Sequence, residues 1–412
     1  MREDAANCLI ITNQFPPLVG GAAEVYAALA RSAAPRIVIL CASHDYRSGQ
    51  EVPGWREHDA AAPYPIHRIP RIRPFLHQTD IRNDLSVRAE LLTTLWRLRR
   101  RYRFQAVCIA DDETVGWLIK PAQLMGCRVL LYTHGDDLAE KPNEQHLRAR
   151  RRRQFARTDR ILAVSAASAA ELCRVFGVDS ARVTVLPNGV DLDRFRPVPP
   201  DENLRQRLGL AGKRVIVTVS RLLARKGIDH MIEALPLVTS AVPDAHYLLI
   251  GDGPQEPELH ALTSRFGVTD RVTFLGAVPQ PDIPRYLALS ELFAMPNRRL
   301  ENGEEDGFGL VFLEANACGL PVIGGRAGGV PEVITHEVNG LLVDGLSVQA
   351  IADATIRLLT DKELAARLAA NGLRRALESG WSSRAENFLN LALGPFRESG
   401  NQGQSDDASP TG

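Results

Sequence analysis

Cysteine and long apolar runs are both scarce in this sequence. The six cysteines are scattered along 412 residues, with no C-x-x-C pair and no histidines at metal-ligand spacing. This spacing predicts that the cysteines are reduced and lie in the core. It argues against a disulfide framework or a cysteine-ligated metal site. No run approaches the roughly twenty apolar residues of a membrane-spanning helix, and no basic segment leads into a long apolar one. We therefore expect a cytoplasmic protein that is neither secreted nor transmembrane.

Net charge is absent as well, since 49 basic residues balance 49 acidic ones. The balance hides an asymmetry, because residues 1–195 carry 28 Lys and Arg against 22 Asp and Glu, which leaves 21 against 27 for the remainder. Arginines of the basic half cluster at Arg97–Arg103 and Arg148–Arg153. These clusters predict either docking on the anionic inner face of the cytoplasmic membrane or two solvated helix faces. Nucleic acid is not an expected partner, because no nucleic-acid-binding module accompanies them.

Short apolar runs alternate with helical periodicity along the chain, which is typical of parallel β/α units. At 412 residues the chain is too long for one ordinary domain. A proline-rich segment that opens with Pro187-Asn188-Gly189 predicts the linker, because prolines break helices and glycine permits a positive φ. The predicted domains are residues 1–195 and 196–380, and the polar residues 399–412 predict a disordered tail.

The alternating pattern resolves into two series of strands with helices between them. Strands are predicted at Cys8–Thr12, Ile37–Cys41, Ala106–Ile109, Arg128–Tyr132, Ile161–Val164, Val183–Leu186, Arg214–Val219, His246–Ile250, Val272–Leu275, Leu292–Met295, Pro321–Gly324 and Leu341–Val343. Helices of the first half are predicted at Ala22–Ser32, Asp84–Arg101, Glu113–Met125, Glu144–Arg157 and Ser168–Phe176.

Two carboxylates, Asp306 and Glu314, stand eight positions apart around a glycine-bracketed helix start in the stretch 301–321. Such a start presents free backbone N–H groups and the positive end of the helix dipole, which bind phosphate. Carboxylates repel phosphate and suit hydroxyl groups of the same ligand, so the implied ligand is a sugar nucleotide. The alternative is that the acidic residues before the helix only complement its dipole.

A second element upstream favours the ligand over that alternative. The predicted strand Arg214–Val219 runs into a loop that carries Arg221 and Lys226, and a helical pattern follows. Ligands of open α/β sheets bind at the carboxyl ends of the strands, where cations suit a diphosphate. Lysine is rare in this chain, with 5 lysines against 44 arginines, so composition does not explain Lys226.

Several short motifs in a fixed order carry a family resemblance. They are Ser220-Arg221, Arg225-Lys226-Gly227, Gly251-Asp252-Gly253-Pro254, Phe274-Leu275-Gly276 and the run from Asp306 to Glu314, preceded by the run from Phe15 to Glu24 and by Thr133-His134-Gly135. Over residues 7–390 they resemble the motif set of retaining glycosyltransferases of family four, which have the two-domain GT-B fold. Within that family, residues 294–323 look most like bacterial phosphatidylinositol mannosyltransferases and their relatives in glycolipid and exopolysaccharide assembly.

The resemblance implies an α/β fold of two Rossmann-like, doubly wound parallel-sheet domains that face each other across a cleft. The first domain would bind the acceptor, the second would bind the nucleotide-sugar donor, and a helix at 381–396 would pack back on the first. Arg221 and Lys226 would bind the donor diphosphate and stabilise charge on the leaving group. Gly20 and Gly21 would let the backbone approach the phosphate and the sugar, with a purely structural turn as the alternative.

The same motifs imply the remaining donor contacts. Glu314 would accept hydrogen bonds from the ribose hydroxyls and Asp306 from the transferred sugar, with His134 beside that sugar. Further donor contacts are assigned to Phe308, Gly309 and Leu310 at the phosphates and to Gly253 and Val278 near the base. The family usually has Glu where this chain has Asp306, so either the loop moves inward or Glu305 shares the contact.

The acceptor side and the chemistry are less closely specified. Acceptor hydroxyls are assigned to Asp111, Asp112, Glu113, Asp136 and Asp137. No side chain stands out as a covalent nucleophile, so the resemblance implies front-face transfer, in which the departing phosphate oxygen takes the acceptor proton. A glycosidase-like double displacement is the alternative. No metal or other cofactor is expected, because the two cations supply the charge, and the acidic pair Asp191 and Asp193 lies in the linker.

The function that the resemblance implies is transfer of a hexose from a nucleotide sugar to a hydroxyl of a lipid-linked or glycan acceptor. Mannose from GDP-mannose is the expected donor, on subfamily likeness alone. The open alternatives are a UDP-sugar-dependent glucosyl, galactosyl or N-acetylglucosaminyl transferase, a sugar-nucleotide epimerase, and a catalytically silent scaffold that binds a sugar nucleotide.

Overall fold

A computed structural model describes residues 6–18, 20–77, 80–135, 138 and 145–394. Its strands are β1 Cys8–Thr12, β2 Ile37–Ala42, β3 Ile66–Ile69, β4 Ala106–Ile109, β5 Arg128–Thr133, β6 Arg160–Ala163, β7 Val183–Val185, β8 Arg214–Val219, β9 Ala245–Ile250, β10 Val272–Phe274, β11 Leu292–Met295, β12 Val322–Gly325 and β13 Leu341–Val343. Its helices are α1 Gly21–Ser32, α2 Trp55–Ala61, α3 Ile81–Tyr102, α4 Asp112–Val115, α5 Ile119–Leu124, α6 Gln145–Arg157, α7 Ala166–Phe176, α8 Glu202–Arg207, α9 Ile228–Ala241, α10 Glu256–Arg265, α11 Ile283–Leu287, α12 Leu310–Ala317, α13 Val330–Val333, α14 Val348–Thr360, α15 Lys362–Leu377 and α16 Trp381–Leu393.

The two series of strands form two separate parallel sheets. In the described residues the first sheet has seven strands in the order β3-β2-β1-β4-β5-β6-β7, and the second has six in the order β10-β9-β8-β11-β12-β13. Strands such as β1, β2 and β9 are buried along their whole length, because a doubly wound parallel sheet is covered on both faces. The strand order reverses between β1 and β4 and between β8 and β11, where a crevice opens at the carboxyl ends of the strands. The predicted fold class is confirmed.

Several elements of the first half differ from the sequence-based expectation, among them α2, which was not predicted. The strand β3 was not predicted, because its sequence Ile-His-Arg-Ile at the sheet edge is only partly buried and has no apolar run. The single helix expected over Glu113–Met125 is instead α4 and α5, joined by a 3-10 turn at Gly116–Leu118. Gly116 and Pro121 account for the break, since glycine weakens a helix and proline removes a backbone donor.

The last helix returns to the first sheet. The helix α16 packs against α1, β4 and β5, and its Trp381, Phe388 and Leu389 are buried in a core that extends over both sheets. The boundaries 1–195 and 196–380 stay predictions, and residues 395–396 and the expected tail 399–412 lie outside the described residues. Among the described helices, none has the length and apolar character that spanning a membrane requires.

Candidate active site

The loop after β8 carries Arg221 and Lys226, the two cationic residues predicted to bind the donor diphosphate. It turns through a 3-10 segment at Ala224–Lys226 to Gly227, which has a φ of 71°. A Cβ on Gly227 would lie 2.0 Å from the carbonyl oxygen of Pro296, so glycine is required where this loop meets the end of β11. Arg221 is exposed, and its side chain has no ion-pair partner in the described part of the chain.

Lys226 and Asp306, which were assigned separate roles, form an ion pair. The Nζ atom of Lys226 donates to Oδ1 of Asp306 at 2.5 Å, and the two side chains have exposed fractions of 15% and 6%. Arg225 Nε lies 3.6 Å from the same oxygen. The other oxygen of Asp306, Oδ2, is buried and has no hydrogen-bond partner among the residues that the structure describes. One carboxylate oxygen is therefore neutralised by cations, and the other is left without a donor.

Glu305, the alternative sugar contact, is engaged elsewhere. Its Oε1 accepts from Arg299 at 3.0 Å, and Arg299 also donates to Glu171 of the first half at 3.0 Å. Of the two neighbouring acids, Asp306 is the one that reaches Lys226. Its contact with a sugar hydroxyl stays a prediction.

The helix α12 begins beside this ion pair and offers backbone donors. Its N-cap, Gly309, has a φ of 88° and provides no side-chain cap. Within the described residues, the N–H groups of Gly309, Leu310 and Val311 donate to no protein acceptor. The side chain of Phe308 is buried and anchors the loop in the core. The arrangement fits the predicted phosphate contact of residues 308–310.

Gly20 and Gly21 precede and open α1 and are not needed by the fold itself. Gly20 has an extended φ of 177°, and Gly21 has no positive φ. A Cβ on Gly20 would have Gln14 Oε1 as its nearest neighbour at 3.6 Å, and a Cβ on Gly21 would meet nothing within 4 Å. The missing side chains leave open space beside the backbone, which favours the ligand-approach interpretation over the structural turn.

The imidazole of His134 is held by aromatic neighbours at the end of β5. Its Nε2 lies 2.7 Å from the hydroxyl of Tyr26, and its ring centroid lies 4.6 Å from that of Tyr132. Burial lowers the pKa of His134 to about 3, so the imidazole is neutral at physiological pH. Because Tyr26 takes Nε2, a sugar contact from this residue is left to Nδ1 or to the main chain.

The two halves of the molecule meet at His134, which directly follows β5. A Cβ on Gly307 would lie 1.9 Å from the carbonyl oxygen of His134, and a Cβ on Gly135 would lie 2.5 Å from the Cα of Gly307. Ser168 Oγ donates to the carbonyl oxygen of Gly307 at 3.3 Å. Glycine on both sides thus permits direct backbone packing, which brings Asp306 next to His134.

Glu314 lies one turn into α12 and faces a pocket of about 300 Å³, part of it open to solvent. The pocket is also lined by Leu310, by Glu24 and Arg31 of α1, by Asp191 and Arg194 of the linker and by Trp381. Burial raises the pKa of Glu314 to about 7, with Arg194 opposing and Glu24 adding to the rise. Its carboxyl can accept from hydroxyl groups once it is ionised. Glu24 and Arg194 were not predicted, although Glu24 closes the glycine motif of the first half.

Gly253 and Val278 lie on two loops that join the donor edge. A Cβ on Gly253 would lie 2.5 Å from the carbonyl oxygen of Leu222, so glycine is required there by loop packing. Gly251 N donates to Gly276 O at 2.8 Å, which links this loop to the segment that leads to the part-buried Val278. The loops after β8, β9 and β10 form one assembly, and the base contact stays a prediction.

The three described acids among those assigned to the acceptor all have structural partners, and their acceptor contact stays a prediction. Asp112 is buried in a bidentate pair with Arg151, and Glu113 lies 3.3 Å from the same guanidinium. Asp111 caps α4 by accepting from Thr114 N, and burial raises its pKa. Asp136 and Asp137 lie outside the described residues.

In the linker, Asp191 lies 3.3 Å from Arg31 and 3.7 Å from Arg194. Two arginines therefore face its carboxylate. Asp193 is exposed, and its backbone N–H donates to Asp191.

The two arginine clusters also differ. In Arg148–Arg153, Arg148 donates to the carbonyl oxygen of Val175 at 2.9 and 2.7 Å, and Arg151 is buried, so part of that cluster holds the fold together. The cluster Arg97–Arg103 at the end of α3 exposes most of its guanidinium groups.

Two facing parallel-sheet domains, with cations, open helix N–H groups and carboxylates at the cleft, define a nucleotide-sugar-dependent glycosyltransferase of the GT-B type. The family model for "Glycosyltransferase Family 4" matches residues 19–194, and the family model for "Glycosyl transferases group 1" matches residues 200–375. The chain belongs to the family-four glycosyltransferases, and it is a hexosyltransferase.

Its relatives include the GDP-mannose-dependent alpha-(1-6)-phosphatidylinositol monomannoside mannosyltransferase of Mycobacterium tuberculosis, which is 35% identical over 88% of this chain and 92% of that protein. The GDP-mannose-dependent monoacylated alpha-(1-6)-phosphatidylinositol monomannoside mannosyltransferase of Corynebacterium glutamicum is 31% identical over 91% of this chain and 94% of that protein. Among solved structures, Anabaena HepE in complex with UDP and glucose superposes with a TM-score of 0.76 at 22% identity, covering 94% of this chain and 99% of that one. That likeness shows the fold.

Proposed function

We propose that this enzyme transfers mannose from GDP-mannose to a hydroxyl of a phosphatidylinositol mannoside, with retention of the anomeric configuration. The observation that carries the transfer itself is the meeting of Lys226, the open start of α12 and Asp306 with His134 at one point of the cleft. The choice of mannose and of the lipid acceptor is supported by the relatives, which carry those substrates in their names and match about nine-tenths of the chain.

The donor diphosphate takes the place where cations and backbone donors converge. Arg221 is exposed, so its side chain is accessible to the diphosphate. Lys226 can exchange its contact with the Asp306 carboxylate for a contact with a phosphate oxygen, while Arg225 stays near Asp306. The N–H groups at the start of α12 donate to the same phosphate. Charge that develops on the departing GDP is thereby stabilised, which is commonly the largest catalytic contribution.

The transferred sugar lies against Asp306 and the end of β5. The unpartnered Oδ2 of Asp306 accepts from a sugar hydroxyl, and this contact satisfies a buried oxygen. With Oδ2 bound to a sugar hydroxyl and Oδ1 facing Arg225, Asp306 serves to position the sugar, and we propose no covalent intermediate on it. The acceptor hydroxyl attacks from the face that the phosphate leaves, its proton passes to the departing phosphate oxygen, and the C–O bond to GDP breaks as the new glycosidic bond forms.

The acceptor is a lipid, and α3 offers a surface for the bilayer that holds it. Its outer face exposes Ile81, Leu85 and Trp96, with exposed fractions of 75%, 59% and 49%. Arg97 and Arg100 stand beside Trp96, and Arg100 stacks over its ring at 4.7 Å. Apolar side chains flanked by cations suit the interface of an anionic membrane.

The test is a transfer assay with radiolabelled GDP-mannose and phosphatidylinositol monomannoside in anionic vesicles. We expect a mannosylated lipid with an α-linkage by NMR, and no product from the Lys226→Ala variant. UDP-glucose and UDP-N-acetylglucosamine serve as competing donors. A lipid product from a UDP-sugar only would contradict the proposed donor, and free mannose without lipid product would contradict the proposed acceptor.

A further inference from the structure

The loop that carries Asp306 is packed against a second turn, Gly328-Gly329. Gly329 N donates to the carbonyl oxygen of Asp306 at 2.9 Å. A Cβ on Gly328 would lie 2.0 Å from that oxygen, and a Cβ on Gly329 would lie 2.2 Å from the carbonyl oxygen of Gly307. There is no space for sliding between these backbones, so the Asp306 loop and the turn before α13 move as one unit.

The helix α13 begins at this turn and carries a carboxylate to the other half of the molecule. Glu332 accepts from Ala166 N at 2.8 Å and from Ala167 N at 3.0 Å. These are the first N–H groups of α7, which lack partners within their own helix. Ser165 already caps Ser168 N at 3.0 Å. Glu332 therefore completes the cap of α7 from across the interdomain boundary, where the helix dipole favours a negative charge.

The helix α7 is also linked to both sequence neighbours of Asp306, Glu305 and Gly307. Ser168 Oγ donates to Gly307 O at 3.3 Å, and Glu171 is joined through Arg299 to Glu305, each step at 3.0 Å. Residues on either side of Asp306 are thus fastened to α7. The cap that Glu332 provides to α7 and the position of Asp306 therefore depend on one connected set of contacts.

We propose that Glu332 is a positioning residue that holds the cleft closed, so that the Asp306-Gly307 segment stays against His134-Gly135 during transfer. Donor entry and product release require this cap to open, and its strength sets how long the assembled site persists. The proposal concerns glycosyl transfer in general, and it does not depend on which sugar nucleotide is the donor.

Hydrogen exchange tests the cap directly in the substrate-free protein. In Glu332→Ala we expect the amides of Ala166 and Ala167 to exchange about tenfold faster, since loss of both acceptors leaves them open to water. The matched control is Glu337→Ala, whose partner Arg357 lies in the same half, and it should leave those amides unchanged. Unchanged exchange at Ala166 and Ala167 in Glu332→Ala would overturn the proposal.

Steady-state kinetics supply the second readout. With GDP-mannose as donor, Glu332→Ala should lower kcat about tenfold, which is within the range of couplings between distant sites, while the Kd for GDP changes less than about twofold. Glu332→Gln, which keeps an acceptor oxygen, should lose less. Full turnover in Glu332→Ala would overturn the proposal even if exchange accelerated. A wild-type protein without GDP-mannose turnover would count against the proposed donor, and the exchange comparison would then decide the role of Glu332.

Discussion

Two ion pairs of similar burial serve the two halves of the molecule differently. Arg151 and Asp112 of the first half have exposed fractions of 6% and 5% and meet through both carboxylate oxygens, at 2.7 and 3.0 Å. Lys226 and Asp306 of the second half meet through one oxygen, and Oδ2 is buried without a partner in the described part of the chain. Burial does not separate a structural pair from a binding pair here. Completeness of hydrogen bonding does, because an unsatisfied buried oxygen is costly until a ligand satisfies it.

The largest expected effect is on the structural pair. Arg151→Ala leaves Asp112 buried without its bidentate partner, which should cost about 3–5 kcal/mol in the free energy of unfolding. The melting temperature should fall by roughly 10 °C, while kcat measured well below it stays within about twofold. The control is Arg153→Ala on the exposed face of the same helix, which should change stability by less than about 0.5 kcal/mol. A stable but inactive Arg151→Ala protein would reverse the comparison.

The binding pair should show the opposite response. Lys226→Ala removes charge stabilisation from the leaving diphosphate, and kcat should fall by about 10²–10³. Thermal unfolding should shift by only about 2 °C, because Arg225 still faces the Asp306 carboxylate. Lys362→Ala, at an exposed helix start, is the matched lysine control. A folded and fully active Lys226→Ala protein would refute the site assignment.

Gly21 sharpens the distinction between space for a ligand and space for the fold. Gly21→Ala adds a methyl group that touches no atom of the described residues, so stability should be unchanged or rise by up to about 1 kcal/mol. Donor affinity should fall about tenfold if the sugar nucleotide occupies that space. Gly307→Ala is the contrasting variant, because its Cβ would lie 1.9 Å from the carbonyl oxygen of His134. Equal donor affinity in Gly21→Ala and wild type would place the donor elsewhere.

Glu314 predicts a pH dependence of donor binding. Burial raises its pKa to about 7, and its ionised form is the stronger acceptor for ribose hydroxyls. The Kd for GDP should therefore increase about tenfold as the pH falls from 8 to 6. The sign for folding is opposite, since the ligand-free protein holds this proton more tightly than the unfolded chain and its stability falls as the pH rises from 4.5 to about 7. Calorimetry in buffers of different ionisation enthalpy measures the proton release. A profile that Glu314→Gln leaves unchanged would assign the titration to another group.

The smallest expected effect concerns the arginine clusters. Arg100→Ser on α3 should weaken binding to anionic vesicles about fivefold, which corresponds to about 1 kcal/mol for one cation near the surface. The effect should fade at high salt, because exposed charges are screened. Arg153→Ser in the other cluster is the control. Equal losses from both variants would indicate general attraction of the basic half, without a role for the α3 face.

The second half of the molecule was the more predictable from sequence. A diphosphate site calls for cations at a strand end and for a helix start. These features are recognisable in the sequence as short motifs, such as the one that contains Arg221 and Lys226. The pairing of Lys226 with Asp306 was not predicted, because the two residues are eighty positions apart and only the folded chain joins them.

The first half was less predictable, because its site depends on packing. Its glycines act through absent side chains, and the orientation of His134 depends on Tyr26, which is distant in sequence. The carboxylate of Asp112 looks the same in sequence whether it binds an acceptor or pairs with Arg151. The strand β3 escaped prediction for a related reason, since a half-buried edge strand has no continuous apolar run.

Glu332 carried a weak signal that was not used. It follows a glycine pair soon after the end of β12, a position where an acidic side chain can reach across the cleft. Its partners are backbone N–H groups of α7, which no side-chain motif reveals.

The most direct test of the account is the melting temperature of wild type, Lys226→Ala and Arg153→Ala proteins with GDP-mannose, GDP and UDP-glucose. At a hundred times its Kd a ligand stabilises the folded state by about 2.7 kcal/mol. We expect a clear rise with GDP-mannose and GDP in wild type and Arg153→Ala, and little or none in Lys226→Ala. A rise of equal size in all three proteins, or a rise with UDP-glucose alone, would contradict it.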